Sequence, residues 1–469
     1  MGNKNQIKKE YFILNEDGKI SNINSDTSTI TNKDFRILVD KEALGKSGMT
    51  GRDAPIYIKH MKKFGIEWEP MSDSGHMRYG PEGALMMGLI SDYANKVVRE
   101  VGFPIYNVLG TNMFNLAEKP VKQHAELFGD RLYQLEVDDK KIVLRYAACH
   151  QQFAMIKDWS ISYKNLPFGA FEIADSYRLE QSGELLLGFR LRKMNMPDMH
   201  VFTADMEEAK KALIQVHKKI YDIMRSQGKE YVSLYNTTSM EFIQKEGQFL
   251  KELLDIEQKP ALLSVYPPGK DYYWVLNIEY HIIDQMERPR EIGTVQLDFG
   301  NAERFGIKYI TNDGTEKRPI ILHTALIGTI ERFMYSLFDI ALSKGEDKAV
   351  LPIWVSPIQV RICPITERNL ATANKIANIL EAINVRVEID DRNKTLQHKI
   401  LDAEKHWVPI IIPVGDKEEM SDSLLIRRRG VNQKGTINDL IAIIKKETEG
   451  MPFRPLPYPR SIANRPIFE

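Results

Sequence analysis

Cys149, His200 and His323 stand at the ends of apolar runs: Cys149 follows KIVLRYAA, His200 follows a β-rich stretch, and His323 closes PIILH. One thiolate and two imidazoles form a borderline-soft donor set that suits zinc. Three protein ligands leave a fourth position for water or substrate, as catalytic-type zinc sites do. The trio lacks the close paired spacing of a zinc finger, so from the residues alone the simpler reading is a buried thiol and two scattered hydrogen-bonded imidazoles.

Two further patterns carry possible chemistry. In SYRLEQSGELLLGFR, Arg178 and Glu180 lie two apart on an expected strand and share one face. The arginine can grip a phosphate or carboxylate bidentately, and the glutamate can accept from an adenine amino group; alone, the pattern also fits a solvated hairpin with a surface ion pair. In GTIERF, Gly328 permits close approach to a sheet and Arg332 follows one turn later on the same helix face. By itself that arginine can equally be an exposed helix residue.

The elements that must position these residues alternate between strand and helix. Pro81 opens a long helix that Gly-Phe-Pro at 102–104 closes, and Leu213, Val216, Ile220 and Ile223 recur at helical spacing over about 205–226. Strands are expected at 141–147, 169–180, 272–283, 293–300 and 319–323, the last feeding the helix with Leu326, Ile330, Phe333 and Leu337 on one stripe. Mixed strands with interposed helices give an α+β core around an antiparallel sheet, spanning 36–345. The polar SKGEDK at 343–348 marks a boundary, after which strict alternation over 349–450 reads as a small α/β domain with a mainly parallel sheet. Residues 1–35 are polar apart from Tyr11 to Leu14 and read as a loosely docked extension, while the proline-rich 451–469 reads as an extended tail.

The chain of 469 residues balances 64 basic against 64 acidic residues, so net charge names no partner. Its 43% hydrophobic and 27% charged residues exclude a disordered or collagen-like chain. Two cysteines are too few for a disulfide framework and point to a reducing compartment. No apolar run approaches the ~18 to 20 residues of a membrane span, and MGNKNQIKKEYF lacks a signal-peptide core. A cytoplasmic protein is expected.

Taken together, YRLE with its hairpin resembles motif 2 of the class II aminoacyl-tRNA synthetases, and GTIERF resembles their motif 3. A Cys upstream of motif 2, a His downstream of it and a His just before motif 3 is the zinc arrangement of the threonyl-tRNA synthetases. The likeness extends through MPDMHVFT, GTVQLDFG and LHTALIGTIERF to GDKE and IRRRG, over about residues 75–448.

The resemblance implies a class II catalytic domain, an antiparallel sheet flanked by helices, followed by an α/β anticodon-binding domain. It assigns Cys149, His200 and His323 to zinc, Asp198 and Gln296 to threonine, and Arg178, Glu180, Arg190, Glu291 and Arg332 to ATP with its Mg2+. Arg178 and Arg332 would act on the phosphates, and His124 would accept a proton near the terminal ribose of tRNA(Thr). Asn393, Glu418 and Arg427, the last within the run Arg427 to Arg429, match positions near the anticodon. The sequence departs from the pattern at Met194, where an aromatic residue commonly stacks on adenine, at Asn277, where the family has a lysine, and at Thr111, where motif 1 has proline unless Pro104 serves. A homodimer is implied. An amino-terminal editing domain is not recognised, so serine errors are expected to be cleared by a separate protein. Two alternatives keep the fold: a non-catalytic RNA-binding paralogue, or a class II synthetase for proline, histidine or serine.

Overall fold

The computed structural model describes residues 9–46, 55–267, 272–429 and 431–466. The chain divides into two compact units, one of Met1–Arg52 with Ala94–Phe333, the other of Asp53–Tyr93 with Met334–Glu469.

The first unit is built on a sheet of ten strands among the described residues, in the order Ile20–Asn22, Glu10–Leu14, Ala261–Val265, Val232–Thr237, Trp274–Ile283, Pro289–Asp298, Ile320–Thr324, Lys193–Thr203, Phe168–Tyr177 and Ile105–Asn107. Pairing is antiparallel except between Val232–Thr237 and Ala261–Val265 and at the Ile105–Asn107 edge. Alternation explains the two faces. In WVLNIEYHII, Leu276, Ile278, Tyr280 and Ile282 are fully buried, while Asn277, Glu279 and His281 project to the opposite face. The amphipathic helix Met206–Ser226, capped by the Asp205 side chain at Glu208 N, packs on the strands Lys193–Thr203, Pro289–Asp298 and Ile320–Thr324.

On the sheet face that carries His200, the helix Cys149–Ile156 is anchored by Phe153 and Ile156, which pack with Phe168, Ala170, Phe202 and Ile321. This anchoring is what brings its first residue, Cys149, over the strands. Cys149 thus opens a helix, and His200 sits within its strand, where the sequence pattern placed each after a strand end.

Within residues 1–35, expected to be a loosely docked extension, Glu10–Leu14 and Ile20–Asn22 are instead strands of the sheet. Glu10–Leu14 pairs in full register with Ala261–Val265, and a hairpin at Gly18 (φ +80°) returns Ile20–Asn22 to it. The helix Lys33–Leu38, capped by the Asn32 side chain at Phe35 N (2.9 Å), then lays Phe35 and Leu38 on Leu234 and Leu262.

Among the described residues the second unit holds a five-stranded sheet in the order Val387–Ile389, Val360–Pro364, Ile410–Val414, Leu424–Arg428 and Val431–Gly435, parallel across the first three strands and antiparallel thereafter. The helices Leu370–Glu381 and Ile437–Thr448 close its core through Ala373, Ile376, Leu440 and Ile444. The strand Val431–Gly435 was not expected, because VNQKG offers no apolar alternation. The helix Ile56–Lys63 stacks His60 on Trp407 at 4.5 Å between ring centroids, and Phe64 lies edge-on to Phe338 at 5.5 Å, so this stretch clusters with the second unit.

Within that unit Glu388 is 1% exposed and joins two arginines: it accepts from Arg361 Nε and, at 2.6 Å, from Arg465 Nη1. Removing one member of a buried charge set leaves the others desolvated and unpaired. Glu388→Leu is therefore expected to lower unfolding free energy by about 3–5 kcal/mol, read from urea unfolding midpoints. A loss below about 1 kcal/mol would mean that water compensates the arginines.

Candidate active site

Register builds the site. His200 lies opposite His323, His323 opposite Gln296, and Gln296 opposite Asn277, so four polar residues from four strands form one row on one face. His200 Nε2 and His323 Nδ1 face each other at 3.0 Å, and with Cys149 Sγ the three ligand atoms lie within 4.8 Å of one another. The outward nitrogens are tied off: His200 Nδ1 to Gln152 Oε1 at 2.8 Å, and His323 Nε2 to the Asp298 carboxylate at 2.6 Å. Such partners fix ring orientation and tautomer so that the inward nitrogens present lone pairs. All three groups are largely shielded, and burial drives the Cys149 thiol up and His200 well down. A neutral imidazole and a thiol that a cation would deprotonate are the state a soft-to-borderline metal takes over. The donor set therefore fits zinc.

Beside it, Asp198 approaches His200 Nε2 at 3.7 Å, with its carboxyl pushed up to about 7 by burial. Tyr273 donates to Gln296 Oε1 at 2.7 Å and leans on the His323 ring at 5.2 Å. Cys149, Arg178, Met194, Asp198, Glu291, Gln296, His323 and Arg332 line one cavity of about 230 Å³ with Met196 and Tyr273.

Two arginines form part of its wall. Arg178 donates from Nε to Tyr146 O at 3.2 Å and lies over the Phe128 ring, and burial followed by the nearby Arg332 lowers its pKa. Arg332 donates to Glu291 O at 2.9 Å and Phe189 O at 3.3 Å, with the Glu291 carboxylate at 3.5 Å. Two guanidiniums over one cavity are arranged to receive an anion.

Gly328 makes the wall possible. Its φ is +70°, and a Cβ there would lie 1.8 Å from Ile292 O; a Cβ on Gly293 would meet Ala325 O at 2.9 Å. The backbone between strand and helix thus passes the sheet at a distance only glycine allows. It also delays the helix, which starts at Ile330 rather than directly after the strand, placing Arg332 in its first turn.

Glu180 and Arg190 meet at 3.4 Å and, with Arg131 and Glu184, form a four-membered charge cluster outside the cavity lining. His124, on the helix Lys119–Phe128, stacks on Tyr146 and lies 6.2 Å from the Tyr273 ring, outside the lining too. Burial, then Arg304 and Arg178, hold its pKa down to about 4. In the second unit, Arg427, Arg428 and Arg429 line a separate cavity of about 260 Å³ with Glu404 and Asn432. Glu418 is engaged in capping its own helix at Gly415 N (3.0 Å), and Asn393 is exposed.

Sequence reasoning missed Gln152, Asp298 and Tyr273. Gln152 stands three residues after Cys149 and Asp298 two after Gln296, spacings that put each on its neighbour's face once helix and strand are assigned.

Residues 133–341 match the tRNA synthetase class II core domain family (G, H, P, S and T), and 359–447 match the anticodon binding domain family. The threonine–tRNA ligase of Thermofilum pendens is 49% identical over 462 residues, 98% of this chain and 75% of that protein. The threonine–tRNA ligase of Staphylothermus marinus is 50% identical over 471 residues, 99% of this chain and 75% of that protein. Among solved structures, the RNA binding domain of threonyl-tRNA synthetase from Cryptosporidium parvum superposes with a TM-score of 0.73 at 22% identity, covering 84% of this chain and 98% of that one. Prolyl-tRNA synthetase of Giardia lamblia in complex with prolyl-adenylate follows at 0.67 and 17%, covering 84% and 78%. These two share the fold. With half of its residues identical to curated relatives over nearly its whole length, and both of its domains matched, the chain belongs to the threonine–tRNA ligase family of class II aminoacyl-tRNA synthetases.

Proposed function

We propose that the chain activates L-threonine with ATP and transfers it to tRNA(Thr), with zinc held by Cys149, His200 and His323. The observation that carries this reading is one cavity lined by Cys149, His323, Arg178 and Arg332, with the buried His200 beside His323 completing a sulfur–nitrogen–nitrogen set. Zinc, when bound, supplies coordination positions that the amino and hydroxyl groups of threonine can fill. The choice matters because valine is threonine's isostere, and an apolar pocket separates near isosteres only by about 10².

The protein's own groups then divide the work. Asp198 accepts from the substrate hydroxyl, and Gln296, oriented by Tyr273, faces the same space. Arg178 pairs with the α-phosphate and the attacking carboxylate, holding them in line, while Arg332 takes the terminal phosphates, which also carry Mg2+. Carboxylate attack on the α-phosphorus releases diphosphate and leaves threonyl-adenylate; a terminal ribose hydroxyl of the tRNA then attacks the carbonyl and AMP departs. We place Glu180 and Arg190 at the adenine end with Glu291, and Asn393, Glu418 and Arg427 at the anticodon. Serine also carries a hydroxyl and is expected to be activated, more weakly.

The test is amino-acid-dependent ATP–diphosphate exchange before and after chelation. Exchange with threonine, weaker with serine, absent with valine and lost on metal removal supports the assignment. Exchange with proline or histidine instead, or none from folded metal-loaded protein, refutes it. His124 gives an independent check. Its depressed pKa, about 4, keeps the ring unprotonated at neutral pH, the form a proton acceptor needs, while making it a weaker base than an unshifted imidazole. His124→Ala is expected to slow transfer to tRNA by about 10²-fold and leave exchange near the parent rate. An equal fall in both would place His124 in folding or activation.

A further inference from the structure

Arg145 and Glu172 are 1% and 3% exposed, and neither contacts the cavity. They form a forked pair, Arg145 Nη1 to Glu172 Oε1 at 2.8 Å and Nη2 to Oε2 at 2.6 Å. The second guanidinium nitrogen also donates to Ala148 O at 2.7 Å, the carbonyl that immediately precedes Cys149. Between these residues, Tyr146 O receives Arg178 Nε at 3.2 Å. The five residues from Arg145 to Cys149 thus carry one metal-type ligand at one end and hold the phosphate-facing arginine from the middle. Their backbone is pinned at the start as well: Arg145 N donates to Asn112 O at 2.8 Å, and Tyr177 N donates to Arg145 O at 2.7 Å.

Glu172 reaches in the other direction too. Its Oε1 accepts Gly110 N at 2.8 Å, and a Cβ on Gly110 would lie 3.1 Å from Arg145 Nη1 and 2.1 Å from Gln151 Oε1. Gln151 in turn donates to Met113 O at 3.0 Å. The loop around 110–113 is therefore clasped by the same pair that supports Cys149.

We infer that the Arg145–Glu172 pair is a positioning strut that sets the place of Cys149 relative to Arg178, and so the span between the amino-acid and phosphate ends of the cavity. The inference rests on the proposed activity, because it assigns those two ends. Neither residue touches substrate; both act through the segment they hold. A buried fork fits this task, since its two parallel hydrogen bonds fix direction as well as distance.

The test uses Glu172→Gln, Arg145→Lys and the paired variant Arg145→Met with Glu172→Leu, which removes both charges and so leaves neither buried alone. Each is loaded with zinc or cobalt(II) as the full chain. Three readouts are taken: metal retained against a chelator, the thiolate-to-cobalt absorption band, and KM for threonine against kcat in the exchange reaction. Supporting partners of metal ligands typically matter by about 10- to 100-fold. We expect metal retention to fall by about that factor, the cobalt band to shift or weaken, and KM for threonine to rise while kcat falls. Lysine at 145 keeps the charge but not the fork, and does not restore the band. A pair that only stabilises the fold would lower the unfolding midpoint and leave the cobalt band and KM unchanged, which overturns the strut. A parent chain that binds neither metal overturns strut and zinc assignment together, whereas a metal-loaded parent with unaltered variants overturns the strut alone.

Discussion

Arg332→Ala is expected to reduce threonine-dependent exchange by about 10³-fold, with little change in the fold. The guanidinium is held by two main-chain carbonyls, Glu291 O and Phe189 O, and lies 4.8 Å from the centroid of the Phe189 ring. Held in this way, its charge would need no reorganisation in the proposed step in which diphosphate leaves. Arg332→Lys should recover little, because an ammonium cannot hold both carbonyls and still face phosphate in the same plane. A lysine variant within about threefold of the parent would show that bulk charge suffices. Arg178→Ala should be as severe, and here KM for threonine should rise as well, since this side chain is assigned to both the carboxylate and the α-phosphate.

His323→Ala is the second large effect: bound zinc and exchange activity should disappear together, with a loss of about 10³-fold or more. The comparison with Asp298→Asn decides what the ring's partner contributes. The carboxylate lies 2.6 Å from His323 Nε2, the ring nitrogen turned away from His200, so as an orienting partner its replacement should cost only about 10- to 100-fold in metal retention. Equal losses in the two variants would mean that Asp298 itself binds the ion. Elemental analysis beside exchange kinetics separates these outcomes.

Cys149, His323 and Arg332 could be singled out as candidates because each sits beside a pattern with its own physics: Cys149 after an apolar run, His323 at a strand end, and Arg332 behind Gly328; only the family resemblance joined them into one site. What the residue pattern could not supply is partnership. Gln152 and Asp298 look like any polar residue on a helix or strand until the sheet register brings them to His200 and His323. The strand Glu10–Leu14 was obscured for the same reason, since its partner Ala261–Val265 is far along the chain and its own apolar run is short. Val431–Gly435 failed differently: an edge strand of polar residues carries no period-2 signal at all. The partner of Ile56–Lys63 was hidden likewise, because nothing in its sequence says that Trp407 stacks on His60.

The register of His200 against His323 has a consequence for how the chain reaches its native state. The two rings are neighbours on the sheet yet 123 residues apart in sequence, so closing that loop costs entropy before the two imidazoles can act together. The complete trio exists only once the central strands are paired. An ion held as proposed, binding the native chain and not the unfolded one, would stabilise by mass action, about 2.7 kcal/mol at a hundredfold excess over its dissociation constant. Metal should accordingly slow unfolding while leaving the refolding rate nearly unchanged, so that starvation for the ion shortens the lifetime of the finished protein without impairing its formation.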